Sequence, residues 1–204
     1  SGTFVLDEVS AQTNYSGKAS DILAAFDGVT VYTGTLTVTG AYTFADITAL
    51  EASTLNYVLS NKAQALTVDA GDVAALVTAL DNTGYKGNVT VAGATAIDIN
   101  DLQALNKLTT GKITLNAASL ADTATYSETA ADLVKAFDGI TGLEGDVTIS
   151  SGAVTIAQLK AINKATSGDI TVTNDQTLSG SAKDLIEALK DVNLTSGTIK
   201  VNGP

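Results

Sequence analysis

A short motif, Gly-x-(Val/Ile/Leu)-x-(Val/Ile/Leu), recurs along this chain and restricts its possible folds more than any other feature. Six copies begin at Gly34, Gly87, Gly111, Gly145, Gly168 and Gly197. Each copy alternates apolar and polar residues, as expected for a short strand with one buried face. A motif repeated in this way predicts stacked units that bury their apolar faces against their neighbours rather than in one globular core.

Two kinds of short helical run separate the motifs. First-type runs lie at residues 21–28, 75–82, 132–139 and 184–189, and their matching positions Phe26, Leu80, Phe137 and Leu189 are 54, 57 and 52 residues apart. Second-type runs share the pattern Leu/Ile-x-Ala-Leu/Ile and lie at residues 46–50, 101–106 and 158–163. One full repeat is therefore about 55 residues long and contains two helix–strand coils.

Cap residues predict where these helices begin and end. Second-type helices carry the spacing of a capping box, with Thr43, Asp98 and Thr155 each followed three residues later by Asp or Gln. In first-type helices, Thr129 and Ser181 keep this spacing, Asp72 keeps only the cap and Lys18 departs from it. Left-handed residues are expected at the C-terminal ends of three first-type helices, at Gly28, Asn82 and Gly139.

The pattern predicts an α/β fold, a right-handed α/β solenoid of about seven helix–strand coils with a parallel sheet, similar in principle to leucine-rich repeats. We expect residues 1–204 to form a single elongated domain. Tyr57–Leu59 is predicted as a further, degenerate strand, and residues 123–126 and 177–179 as pieces of a second ladder. The apolar residues of all six motifs, including Ile199 and Val201, are expected to face the helices.

Composition excludes several classes of function. The chain has 11 basic and 22 acidic residues, a formal net charge of −11. Such a balance argues against binding to nucleic acid or to anionic membrane surfaces, and no apolar run is long enough to span a bilayer. Cys and His are absent, which excludes disulfides, thiolate or imidazole metal sites and Ser–His or Cys–His catalysis. We therefore expect no enzyme, and the abundance of small residues and acidity favours an extracellular, cell-surface location.

The polar strand positions are the first candidate site. The central residues of five motifs are threonines, and stacking of the strands in sequence order would place them in one row about 4.8 Å apart, interrupted near Tyr57; they are Thr37, Thr90, Thr114, Thr148 and Thr171. Such a hydroxyl-rich face could bind glycans or another protein. The alternative is that Thr is simply a favourable residue on the exposed side of a strand.

Two aspartates are the second candidate site. Asp146 and Asp169 hold the same position in consecutive motifs, so their carboxylates are expected to be neighbours. Like charges side by side are destabilising; a calcium ion with oxygen ligands could relieve the repulsion, and so could Lys112 on the next strand. The sequence contains neither an EF-hand loop nor the calcium-binding Gly-Gly-x-Gly-x-Asp nonapeptide. No other cofactor is expected.

The repeat units at residues 127–149 and 155–172 resemble tandem repeats of very large exported proteins of cyanobacteria and marine bacteria, of the adhesin-like and hemolysin-like kind. The resemblance extends from about residue 14 to residue 203. It implies a structural or adhesive segment, such as a stalk or spacer, that neighbouring repeats of a larger surface protein would flank. The alternative function is a glycan- or protein-binding module that uses the threonine face.

Overall fold

The chain folds into short helices and short parallel strands, so the predicted α/β class is confirmed. The computed structural model describes residues 11–53, 55–93, 96–116, 125–141 and 143–203. In these ranges there are seven α-helices: α1 (Ala19–Ala25), α2 (Phe44–Ala52), α3 (Val73–Leu80), α4 (Ile99–Leu108), α5 (Ala130–Phe137), α6 (Ile156–Ala165) and α7 (Ala182–Ala188). A 3-10 turn, Ala70–Asp72, precedes α3. None of the helices in the described part of the chain is long and apolar enough to cross a membrane.

The strands form four separate parallel sheets. In chain order they are β1 (Tyr15–Gly17), β2 (Leu36–Val38), β3 (Tyr57–Leu59), β4 (Leu66–Asp69), β5 (Val89–Ala92), β6 (Ile113–Leu115), β7 (Thr125–Thr129), β8 (Ile140–Thr141), β9 (Asp146–Ser151), β10 (Ile170–Val172), β11 (Gln176–Gly180), β12 (Val192–Leu194) and β13 (Gly197–Val201). The first sheet is β1-β2-β3, the second β4-β5-β6-β8, the third β7-β9-β10-β12 and the fourth β11-β13.

The helices make a continuous layer, whereas the strands do not make a continuous sheet. Each helix from α1 to α6 contacts the helix that follows it in the chain. The first sheet ends at β3, which pairs with β2. The next strand, β4, begins a new sheet because it pairs with β5. The same change occurs between β10, which pairs with β9, and β11, which pairs with β13. Consecutive motif strands therefore pair only within a sheet, as β5 does with β6 and β9 with β10, and the expected single sheet of motif strands in sequence order is wrong.

Caps define the helix starts largely as predicted. Thr43 and Thr155 form complete capping boxes with Asp46 and Gln158. Thr129 and Ser181 accept a hydrogen bond from the third residue of their helices. Asp72 makes no side-chain cap, so the predicted cap at that position is wrong.

The predicted left-handed residues follow α1, α3 and α5. Gly28, Asn82 and Gly139 have φ angles of 77°, 62° and 67°. These values are those of the left-handed residue that ends a helix, so this prediction is confirmed.

Loss of the Thr155 cap provides a first prediction. We expect Thr155→Ala to lower the free energy of unfolding by about 1 kcal/mol, because the backbone N–H of Gln158 at the start of α6 loses its acceptor. Thr155→Ser keeps the hydroxyl and is the matched control. Urea denaturation of both variants checks this, and an equal loss in the two would show that the methyl group, not the cap, matters.

The buried core lies between the helix layer and the apolar faces of the strands. The apolar residues of five motifs are almost fully buried: Leu36, Val38, Val89, Val91, Ile113, Leu115, Val147, Ile149, Ile170 and Val172. The sixth motif differs, because Ile199 and Val201 are 49% and 63% exposed. Within the described residues β13 pairs only with β11 and no helix follows it, so the prediction that these two residues are buried is wrong.

Candidate functional site

Motif strands start where the backbone of the preceding coil passes very close. A Cβ atom at Gly168 would lie 2.5 Å from the carbonyl oxygens of Glu144 and Gly145. Gly111 lies against the Gly87 backbone in the same way. Such distances leave no room for a side chain, so the glycine of the motif is required by packing between coils.

A threonine two residues before the glycine completes this junction. The hydroxyl of Thr166 donates to the Gly145 carbonyl oxygen at 2.8 Å and accepts from the N–H of Gly168 at 3.0 Å. Thr109 makes the same pair of bonds with Gly87 and Gly111, at 2.7 and 2.9 Å. These hydroxyls, which the sequence analysis does not single out, therefore join neighbouring coils.

The five candidate threonines lie in three different sheets. Thr37 pairs with Ser16 and Val58 in the first sheet. Thr90 and Thr114 are neighbours in the second sheet, and Thr148 and Thr171 are neighbours in the third. All five are half-buried. The break between β3 and β4 agrees with the predicted interruption near Tyr57, but the rest of the predicted row is wrong, because β6 and β9 belong to different sheets and separate Thr114 from Thr148.

Shorter polar rows nevertheless exist within the sheets. In the second sheet, the register aligns Thr67, Thr90, Thr114 and Thr141. In the third sheet it aligns Ser127, Thr148, Thr171 and Asn193. Thr67 and Ser127 do not belong to any Gly-x-(Val/Ile/Leu) motif, which is why the sequence pattern misses them.

Asp146 and Asp169 are adjacent, as the sequence predicts, but they share a specific contact that it does not predict. The backbone N–H of Asp169 donates to Oδ1 of Asp146 at 2.9 Å. Two asparagines at equivalent strand starts do the same: Asn14 accepts from the N–H of Thr35 at 2.8 Å and Asn88 from that of Lys112 at 2.9 Å. The side-chain oxygen of Asp146 thus satisfies the first backbone donor of the next strand.

The two carboxylates do not by themselves make a metal site. Within the described ranges, no group of three or more His, Cys, Asp or Glu side chains is placed to hold a metal ion. Calcium usually takes about six to eight oxygen ligands, and one oxygen of Asp146 is already engaged by a backbone donor. Calcium binding at Asp146 and Asp169 remains a hypothesis.

Two substitutions of Asp146 distinguish its role as a hydrogen-bond acceptor from the effect of its negative charge. Asp146→Ala leaves the Asp169 N–H without its acceptor, and we expect a loss of about 1 kcal/mol in the free energy of unfolding. Asp146→Asn keeps the oxygen, as Asn88 does at the equivalent position, and should change stability little. Chemical denaturation in EDTA measures the stability of both variants. An equally large loss of stability in Asp146→Asn would show that the charge, not the acceptor oxygen, is what matters.

Asparagines on the second-type helices cap the helices that follow them. Nδ2 of Asn106 in α4 donates to the carbonyl oxygen of Ala136 in α5 at 2.6 Å. Nδ2 of Asn163 in α6 donates to the carbonyl oxygen of Lys190, just beyond α7. Because the last carbonyl groups of a helix lack partners within it, these side chains tie each helix end to the preceding coil.

An ion-pair cluster joins α6 to α7. The amino group of Lys160 lies 2.5 Å from Oδ1 of Asp184 and 2.7 Å from Oε2 of Glu187. Its hydrogen bonds keep the pKa values of both carboxyl groups below their usual values of 3.8 and 4.5. The same two carboxylates raise the pKa of Lys160. The cluster is structural, since its groups hold two helices together at an exposed surface.

Acid should weaken this cluster. A carboxyl group with a lowered pKa in the folded state contributes stability above its unfolded pKa and loses that contribution as the pH falls through the folded value. We therefore expect stability to fall as the pH drops below about 4.5, and Lys160→Met to reduce that fall. The control is Lys86→Met, a lysine outside the ion pairs seen in the described residues. Identical pH profiles for the two variants would contradict this account.

Comparison with known proteins gives no relative: no protein-family model, no curated protein and no solved structure matches this chain.

Proposed function

We propose that this chain is a structural repeat segment, serving as a stalk, spacer or adhesive surface of a larger extracellular bacterial protein, and that it is built as a right-handed α/β solenoid of about seven coils. The observation that carries the proposal is the recurrence of the same junction between coils. The hydroxyl of Thr109 donates to the carbonyl oxygen of Gly87 and accepts from the N–H of Gly111. The hydroxyl of Thr166, 57 residues later, makes the same two hydrogen bonds with Gly145 and Gly168. A contact that repeats in this way extends an array rather than enclosing a pocket.

In this proposal the chain performs no chemistry and its acidity serves solubility. A net charge of −11 keeps copies apart in solution. Neighbouring repeats of the parent protein would flank the segment at both ends. Neither nucleic acid nor membrane insertion is part of the proposed role, in line with the excess of acidic residues and with the short helices of the described ranges.

Small-angle X-ray scattering tests the elongated form. A globular protein of 204 residues has a radius of gyration of about 17 Å. The proposal predicts a clearly larger value and an asymmetric distance distribution. A compact particle, or two separate compact bodies, would overturn the proposal.

The polar rows favour a second candidate function, a glycan- or protein-binding module. Thr90 and Thr114 stand side by side in the second sheet, next to the exposed Thr67. If this row binds a ligand, replacing Thr90 and Thr114 with Lys should abolish binding to a glycan array while leaving the melting temperature nearly unchanged. Binding that survives the double substitution would rule out this surface.

Calcium could stiffen the segment in either role. We would compare thermal unfolding in EDTA and in millimolar calcium, for the unmodified chain and for Asp146→Asn/Asp169→Asn. A calcium-dependent rise in melting temperature that the double substitution removes would support an ion at the two strand starts. The absence of any rise would overturn the calcium hypothesis and leave a metal-free spacer.

A further inference from the structure

The end of the fold formed by α7 and β13 carries an apolar surface, which we call the C-terminal face. Ile186 on α7 is 73% exposed, and Ile199 and Val201 on β13 are 49% and 63% exposed. Together with Ala182, Leu185, Leu189 and Lys190 these residues line a groove of about 550 Å³. Three large aliphatic side chains exposed side by side mark a surface that usually has a partner.

The equivalent residues of earlier repeats are covered. Ile186 follows Asp184-Leu185 as Val134 follows Asp132-Leu133, and Val134 is half-buried beside Ala161 and Ala165 of α6. On the strand side, the residues equivalent to Ile199 and Val201 are almost fully buried in three earlier copies: Leu36 and Val38, Val89 and Val91, and Val147 and Ile149.

In the earlier repeats, a second-type helix and the strand that follows it lie next to the equivalent residues. A second-type helix packs on each first-type helix, as α2 does on α1, α4 on α3 and α6 on α5. The strand that follows this helix pairs with the free edge of the preceding motif strand, as β10 does with β9 and β6 with β5. Within the described residues, β13 has only β11 as a partner.

We propose that the C-terminal face is the docking surface for one further second-type unit, an N-capped helix followed by a strand, supplied by the adjacent repeat of the parent protein. This inference rests on the proposed function and adds to it the kind of unit that the face accepts. The helix would lie against Ile186 and Leu189, as α6 lies beside the half-buried Val134, and the strand would pair with β13 and cover Ile199 and Val201.

The test extends the chain by one unit and measures the accessibility of a single introduced thiol. A copy of residues 153–175 replaces Pro204, so that Gly203 precedes the copy as Gly152 precedes the original. The chain has no native cysteine, so Ile186→Cys gives one thiol whose reaction with a disulfide reagent can be followed. We expect the extension to slow this reaction several-fold, because residue 186 would become half-buried beside the added helix, as Val134 is beside α6.

Two controls separate docking from nonspecific effects. Val31→Cys introduces a thiol at another exposed aliphatic residue, 55% exposed and outside the C-terminal face, and its reaction rate should not change on extension. In the second control, the appended copy carries Asp in place of the residues equivalent to Leu159 and Ile162, which are fully buried in α6. With this altered copy, the thiol of the Ile186→Cys variant should lose its protection.

Two outcomes would overturn the inference. The first is a thiol in the Ile186→Cys variant that reacts equally fast with and without the intact extension. The second is a thiol in that variant that becomes protected in the unextended chain as its concentration rises, which would make a second copy of this chain the occupant. Neither outcome bears on the elongated form, which scattering tests separately, so failure of the docking inference and failure of the proposed function are distinguishable.

Discussion

Gly168→Ala is expected to lower the free energy of unfolding by about 3 kcal/mol, because the added methyl group has no space. Its Cβ would lie 2.5 Å from the carbonyl oxygens of Glu144 and Gly145 and 2.6 Å from the carbonyl carbon of Gly145. All three are backbone atoms of the preceding coil, so relief requires the two coils to separate. That separation would also lengthen the bond between Thr166 and Gly145. Urea denaturation followed by circular dichroism measures the loss.

Gly71→Ala is the matched control for this substitution. No atom lies within 4 Å of the position where its Cβ would be, and its backbone is not left-handed. Alanine there should leave stability unchanged or raise it by a few tenths of a kcal/mol, since it restricts the unfolded chain. If both variants lose the same stability, close approach between coils is not what the motif glycine provides.

Leu159→Ala is expected to cost about 3 kcal/mol of stability through loss of buried contacts and formation of a cavity. The Leu159 side chain is fully buried on α6, where the helix layer meets the strands. Because α6 contacts both α5 and α7, this loss should destabilise both neighbouring helices as well as α6. Thermal and urea denaturation report the change.

Ile186→Ala is the control for Leu159→Ala. It tests whether the loss of stability depends on burial of the truncated side chain or only on removal of an aliphatic group. Ile186 is 73% exposed, so its truncation should change stability by less than about 0.5 kcal/mol in the chain as it stands. A large loss at Ile186, or a negligible one at Leu159, would contradict the arrangement of the core.

The helices were predictable because their signals are local. A cap such as Thr155 and its partner Gln158 are three residues apart, and the structure forms the capping box that this spacing predicts. The left-handed residues at Gly28 and Gly139 are equally local, because a single position determines where the helix ends. Such features require no knowledge of which coils are neighbours.

Strand pairing was only partly predictable because it depends on distant residues. The sequence identifies β6 and β9 as equivalent motifs, but nothing local states that β6 pairs with β8 and β9 with β7. Strand β4 lacks the glycine of the motif, since Gln64 stands at the motif glycine's position, two residues before Leu66, and therefore escapes the pattern. As a result the predicted row of five threonines becomes separate shorter rows.

For the candidate carboxylate pair, too, the sequence predicted one feature and missed another. The adjacency of Asp146 and Asp169 follows from their equal positions in consecutive motifs. The backbone bond accepted by Asp146 was missed, although a signal exists: Asn14, Asn88 and Asp146 occupy the same place, one residue before a strand's first apolar or aromatic residue. An Asn or Asp repeated at one position favours a hydrogen-bond acceptor over a metal ligand.

Disulfide trapping tests most directly the central claim that the strands pair within separate parallel sheets. The chain has no native cysteine, and neighbouring parallel strands are about 4.8 Å apart, within the range that a disulfide can bridge. The structure predicts that Thr90→Cys/Thr114→Cys and Thr148→Cys/Thr171→Cys form intramolecular disulfides under mild oxidation, whereas Thr114→Cys/Thr148→Cys does not. Efficient closure of the Thr114/Thr148 pair, or failure of the other two pairs, would contradict the sheet order described here.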